Sequence, residues 1–190
     1  MLTAWGDESG SSATRDPGTY VLGAVVIDDK DLDFARRQAQ KLKLPAETKA
    51  HWYTSSDANR AKVTNLIASL PVHAIVVVRL ALESERVERR RRKCLEFLLP
   101  TLTVEGCERL VLESRGKKDD QRDRDLVDVL RAQRRLGTAL KLEHTSGPRE
   151  PMLWLADALC GATVAERLGD PRWWEVVKEV GTVHTIDARL

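Results

Sequence analysis

The chain has 190 residues, 42% of them hydrophobic, which suits one domain over residues 1–190 with a sizeable core. Its 31 Lys and Arg nearly balance 29 Asp and Glu, so no global field advertises a polyanionic partner and any basic surface has to be local. Cys94, Cys107 and Cys160 lie far apart in no zinc-ligand spacing and read as buried thiols of a reducing compartment. No apolar leader follows Met1, and no stretch approaches the about 20 apolar residues that span a bilayer. The expectation is a soluble, cytoplasmic protein with no membrane partner.

A short apolar strand, Leu2 to Trp5, runs into Gly6-Asp7-Glu8-Ser9-Gly10. Thr19 to Ile27 is β-branched and apolar between Asp16-Pro17-Gly18 and Asp28-Asp29, which predicts a hairpin with the first strand. Asp31 then caps an amphipathic helix to about Leu42, ended by Pro45. Glu47 to Tyr53 is short and polar with an aromatic end. Val63, Leu66, Ile67 and Leu70 set a helix over Asn59 to Leu70, with Ser56 and Asp57 as cap candidates and Pro71 closing it. Val72 to Leu82 is the strongest strand signal in the chain.

Val87, Cys94, Leu95 and Leu98 recur at helical spacing, so Ser84 to Leu99 is a helix carrying the run Arg89 to Lys93. Arg109 to Leu112 is a short buried strand ending in Glu113, broken by Ser114-Arg115-Gly116. Asp119 or Asp120 caps a helix whose Leu126, Val129, Leu130 and Leu136 face the core. Leu140 to His144 is a further strand, and Pro151 opens a long helix through Leu168, where its missing N–H costs least. Trp173 and Trp174 sit on a short helix before a last strand-like run, Val183 to Ala188. Antiparallel strands followed by alternating helix and strand argue for an α/β mixed sheet, parallel in its second half.

Three acids fall where such sheets place chemistry, at strand carboxyl ends and beside them. Asp7 ends the first strand, Glu113 ends a later one, and Asp157 stands alone in the apolar run Leu153 to Ala162. Asp7 and Glu8 read either as turn residues, favoured there with Ser and Gly, or as carboxylates held rigidly for a hard cation. If strands one and four are parallel neighbours, Asp7 and Glu113 emerge side by side. Asp157 is costly to bury without a cation or donor, and a single Arg partner would also satisfy it. Glu150, seven residues before Asp157, projects from nearly the same helix face at about 100° per residue. It is a candidate fourth carboxylate, although an acid in a first helical turn is favoured by the helix dipole alone.

Asp7-Glu8-Ser9-Gly10 at a strand end, Glu113 closing a mid-chain strand, and a helix of the form Leu-x-x-Ala-Asp-x-x-x-Gly-Ala at Leu153 to Ala162 carry a resemblance. The chain resembles an uncharacterised bacterial and phage domain family of the ribonuclease H-like superfamily. Where that family commonly has Gln after the leading Leu, this chain has Trp154. The resemblance implies a ribonuclease H-like mixed sheet flanked by helices and an acidic site for divalent metal. Asp7, Glu113 and Asp157 would be the ligands, with Asp7 bridging two ions. All-oxygen donors suit Mg²⁺ or Mn²⁺, and two ions about 3.5–4 Å apart serve phosphodiester hydrolysis. Glu8 points to the other side of an extended strand and reads as a supporting residue.

Around these acids, Lys49 and His51 are candidates to hold a phosphate, and His51 to relay a proton; a solvated loop is the competing reading. Arg115, Lys117 and Lys118, starting two residues after Glu113, form a basic loop placed to take a nucleic-acid backbone. The run Arg86 to Lys93 reads as a solvated helix face, with Arg91 near the apolar stripe and its head reaching to water. The functions compatible with this pattern are a metal-dependent nuclease acting on nucleic acid, a non-catalytic binding module of the same fold, and a small-molecule metal phosphoesterase. Three acids present together favour catalysis.

Overall fold

A computed structural model describes residues 1–43 and 47–188. Strands β1 (Leu2–Gly10), β2 (Thr19–Asp28) and β3 (Val72–Leu80) form an antiparallel ladder. β4 (Cys107–Glu113) lies parallel to the free side of β1, β5 (Lys141–Thr145) parallel to β4, and β6 (Gly181–Asp187) parallel to β3. The sheet order is β5-β4-β1-β2-β3-β6, antiparallel in its first strands and parallel in its later ones, as the element order predicts.

Helices cover both faces. On one face α5 (Pro151–Arg167) lies on β1 and β2, with α1 (Asp29–Gln40), α2 (Asp57–Ser69) and α6 (Trp174–Val177) packed against it. This explains why α5 is apolar nearly all round: it has neighbours on every side. α3 (Val87–Val104) and α4 (Lys117–Ala132) cover the other face over Leu22, Ile75, Leu110 and Leu112. Among the described residues no helix is long and apolar enough to cross a membrane.

Several boundaries depart from expectation for physical reasons. β1 does not stop at Trp5. Asp7 pairs with Gly23, Glu8 with Leu22 and Gly10 with Tyr20, so ladder bonds hold the Asp-Glu-Ser-Gly segment extended. The turn falls later, at residues 13–18, where Gly18 takes φ 76° and a Cβ would overlap the carbonyl of Ala81. α1 is capped by Asp28, whose Oδ1 accepts the Lys30 N–H at 3.1 Å, rather than by Asp31; Pro45 lies outside the described residues. Ser56 caps α2 as predicted, accepting the Asn59 N–H. α3 runs past Pro100 to Val104 because Leu98, Leu99 and Leu102 are all fully buried, which outweighs one missing helical bond. α4 begins at Lys117, after Gly116 at φ 99°. Asp120 instead accepts the Arg115 N–H and the Ser114 hydroxyl, which fixes the turn leaving β4.

Candidate functional site

The β1–β4 register sets Gly6 beside Leu112, so the next residues, Asp7 within β1 and Glu113 at the end of β4, stand side by side. Small residues let α5 come close enough to join them. Cys160 sits over Gly23, where a Cβ would come within 2.8 Å of its sulfur, and the Cys160 thiol donates to the Asp7 carbonyl at 3.2 Å. One turn earlier, Asp157 reaches the same end of the sheet. Asp7, Glu113 and Asp157 line an open pocket of about 220 Å³ with Lys49, His51 and Arg115.

Asp7 is 8% exposed and its Oδ1 accepts the Glu8 N–H at 2.8 Å. Burial, then the charges of Asp157, Glu8 and Glu113, push its carboxyl up to about 8 against the lowering effect of that N–H. Glu113 takes Lys49 Nζ on both oxygens, at 3.0 and 2.8 Å. Its carboxylate lies against Gly147, where a Cβ would overlap it, and the Gly147 carbonyl accepts the Trp154 indole N–H at 2.7 Å. Trp154, standing where the resembled family has Gln, therefore holds the backbone that backs Glu113. Asp157 Oδ2 accepts the Trp52 N–H at 2.8 Å and lies 2.9 Å from His51 Nδ1.

The segment carrying Lys49 and His51 is anchored by Trp52. Its ring packs against Gly161, where a Cβ would overlap it, and stands edge-on to Trp173 with centroids 6.0 Å apart. The Arg60 guanidinium covers the ring at 5.0 Å. Burial pulls the Lys49 ammonium down, but the Glu113 bond with the charges of Asp7 and Asp157 raises it overall. The Asp157 carboxylate raises the His51 imidazole against its own burial. The acids that Lys49 and His51 face favour the charged form of both.

Glu8 leaves the opposite face of β1, and its carboxylate pairs with Arg91 and, at 3.5 Å, with Arg115. Arg115 also bonds Glu88 at 2.7 Å. Lys117 and Lys118 are exposed in the first turn of α4 and do not line the pocket. Glu150 does not line it either. As the N-cap of α5 its backbone is non-helical, at φ −126° and ψ 99°, so the 100° projection does not reach back to it. Its carboxylate accepts the Met152 N–H at 3.2 Å and is clamped by Arg36 at 2.7 Å.

Beneath the pocket lies a buried ion network that sequence reasoning does not find. Arg91 is 1% exposed instead of reaching to water, and bonds Asp123 at 2.8 and 3.2 Å. His144 Nε2 lies 3.0 Å from the same carboxylate. Burial opposes the charge on Arg91, but Asp123 and Glu8 hold its pKa above the ordinary value. The available signal is position: Arg91 shares a helix stripe with Cys94, Leu95 and Leu98, and Asp123 one with Leu126 and Leu130.

The donor chemistry fits a hard divalent cation: three carboxylates converge, one of them buried among like charges that a cation would relieve. Among the described residues no three acidic, imidazole or thiol groups stand close enough to close on an ion as they are. Lys49 and His51 hold Glu113 and Asp157 instead, so loading an ion means loosening those bonds.

No known protein family's profile matches the chain, and no curated protein matches it in sequence. Solved structures do. Ribonuclease H2 from Pyrococcus horikoshii OT3 aligns with a TM-score of 0.58 at 16% identity, over 94% of this chain and 76% of that one. RNase HII from Archaeoglobus fulgidus, solved in a complex with PCNA, gives 0.58 at 14%, over 94% and 88%. Bst-RNase HIII in complex with Mn²⁺ gives 0.53 at 14%, over 88% and 53%. At these identities the likeness establishes the fold: the sheet and its flanking helices are ribonuclease H-like.

Proposed function

We propose that this chain is a divalent-metal-dependent nuclease that hydrolyses phosphodiester bonds of nucleic acid, with Asp7, Glu113 and Asp157 holding Mg²⁺ or Mn²⁺. The observation that carries the reading is the convergence of these carboxylates, from β1, β4 and α5, on one open pocket at the carboxyl end of a ribonuclease H-like sheet. Its structural neighbours are ribonucleases H, one of them solved with Mn²⁺.

A divalent ion there supplies Lewis-acid polarisation of the phosphoryl group and a more acidic water. Lys49, once released from Glu113, binds a non-bridging phosphate oxygen as a compact point charge. His51, whose protonated form Asp157 favours, is placed to give a proton to the leaving oxygen. Arg115 faces the same pocket and takes a neighbouring phosphate, with Lys117 and Lys118 beyond it on α4 as sequence-independent partners of the backbone. Glu8 and Glu150 act through others: Glu8 by holding Arg115, Glu150 by capping the helix that presents Asp157.

Crystals soaked in Mn²⁺ test the site directly. Anomalous density among Asp7, Glu113 and Asp157 is expected, and its absence at saturating Mn²⁺ would remove the metal assignment. With labelled DNA, RNA and hybrid substrates, cleavage should disappear in Asp7→Asn and Asp157→Asn. A salt-dependent gel shift without cleavage by the unaltered protein would instead identify a binding module, and hydrolysis of nucleotides alone a phosphoesterase.

A further inference from the structure

A second cavity lies on the far side of Arg115. It is a groove of about 670 Å³ between α3 and α4, and its walls carry Arg86, Arg89, Arg92, Lys93 and Arg122. Local helix physics disfavours this placement. Cations in the first turns of α3 stand at the positive end of its dipole, and Arg86 at the N-cap makes no side-chain capping bond. A well-packed fold that breaks such a rule commonly does so for function.

Four acids, Glu88, Glu96, Asp123 and Asp125, share the groove with six cations and leave it a net positive charge. Arg92 and Lys93 bond the one carboxylate of Glu96, at 3.0 and 2.7 Å. Glu88 is taken by Arg115 and Asp123 by Arg91, while Arg122 pairs with Asp119 outside the groove. Arg89 is 69% exposed and reaches Glu85 only at 3.6 Å. Val129, expected in the core, is 39% exposed on the α4 wall.

The groove adjoins the acidic pocket. The partition between them is the network in which Arg115, lining the pocket, bonds Glu88, lining the groove, while Arg91 of the groove reaches Glu8 of the pocket. We propose that the α3–α4 groove binds the phosphodiester backbone of one nucleic-acid strand as it leaves the pocket. A groove of about 670 Å³ has room for a stretch of one strand rather than for both strands of a duplex. An acidic peptide would also satisfy the charge. Adjacency to a pocket read as phosphodiester-cleaving selects nucleic acid, and to that extent the inference rests on the nuclease reading.

The test is binding, not turnover: anisotropy of fluorescein-labelled oligo-dT longer than about 16 nucleotides, in EDTA, across a salt series. Arg86→Gln/Arg89→Gln/Arg92→Gln should weaken binding at least about 10-fold and flatten the log–log salt slope by about 0.7 for each phosphate no longer neutralised. The triple change Lys30→Gln/Arg37→Gln/Lys41→Gln removes as much charge from exposed positions at α1, on the other face, and should leave both unchanged. Unchanged affinity and slope in the α3 variant, with a matching circular-dichroism melt, would overturn the proposal. So would equal losses in both variants, or oligo-glutamate of matched charge competing as well as unlabelled oligo-dT. Salt-dependent binding that disappears only in the α3 variant, in a protein that cleaves nothing with Mn²⁺, would sink the nuclease reading and leave the groove standing.

Discussion

Lys49 Nζ bridges both oxygens of Glu113, at 3.0 and 2.8 Å, so an ammonium sits where a divalent cation would draw on the same carboxylate. The two cations compete, and at such separations the interaction is worth several kcal/mol before screening. Lys49→Met keeps the aliphatic stem and removes the competitor. Titration calorimetry should find Mn²⁺ bound about 10-fold more tightly, equivalent to about 1.4 kcal/mol. Cleavage should fall in the same variant because the substrate phosphate no longer meets an ammonium. Weaker Mn²⁺ binding would show that Lys49 supports the ion rather than opposing it.

Gly147 backs the Glu113 carboxylate so closely that any Cβ would overlap it. The obstructed atoms are the end of a flexible side chain, so Gly147→Ala should swing the carboxylate aside at a stability cost near 1 kcal/mol. Activity should drop about 10- to 100-fold, the range seen when support around a metal ligand is removed. Gly137, which has nothing near its Cβ position, is the control, and Gly137→Ala should leave turnover intact. Equal activity in the two variants would mean that the placement of Glu113 is not required.

Asp7 is an acid buried among acids, an arrangement that folding alone does not favour. Asp7→Asn retains the shape and removes the ionisable group. Its metal-free form should melt about 2–4 °C higher for each kcal/mol of repulsion relieved, while cleavage in Mn²⁺ falls at least about 100-fold. A variant that melts lower and still cleaves would show Asp7 to be structural.

How much of this is legible in the chain depends on the range of the interactions. The hairpin, the parallel approach of Asp7 and Glu113, and the position of Asp157 in an apolar helix rest on local pattern and chain order. The extension of β1 through Gly10 depends on pairing with Gly23, Leu22 and Tyr20, which overrides the turn preference of Asp, Ser and Gly. The fate of Arg91 depends on Asp123, 32 residues away, and on Glu8. Its helix stripe shows that it is buried but not what offsets its desolvation. Glu150 escapes the sequence pattern because projecting a helix backward assumes helical backbone at a residue that is in fact its cap.

The Arg91–Asp123–His144 cluster makes a prediction about acid stability. Burial works against the Asp123 carboxylate, but His144 and Arg91 together lower its pKa to about 2, from an ordinary 3.8. A carboxyl whose folded pKa lies below its unfolded value stabilises the fold above the unfolded pKa and loses that contribution as pH falls through the folded one. The affected window therefore runs from about pH 4 down to about pH 2. Urea denaturation across it should show stability falling more steeply in the unaltered protein than in Asp123→Asn, which has no carboxyl at this position to titrate. At neutral pH the same substitution should cost about 3 kcal/mol, because it withdraws the closest charge from a guanidinium that is 1% exposed. Glu8 still faces Arg91, which keeps the loss from growing larger and ties it to the pocket. With Asp123 neutral, Arg91 draws more heavily on Glu8 and Arg115 loses part of its hold, so oligonucleotide binding should weaken with stability. Parallel slopes for the two proteins between pH 2 and 4 would mean that Asp123 titrates normally and that the network is not the acid-sensitive element of the fold.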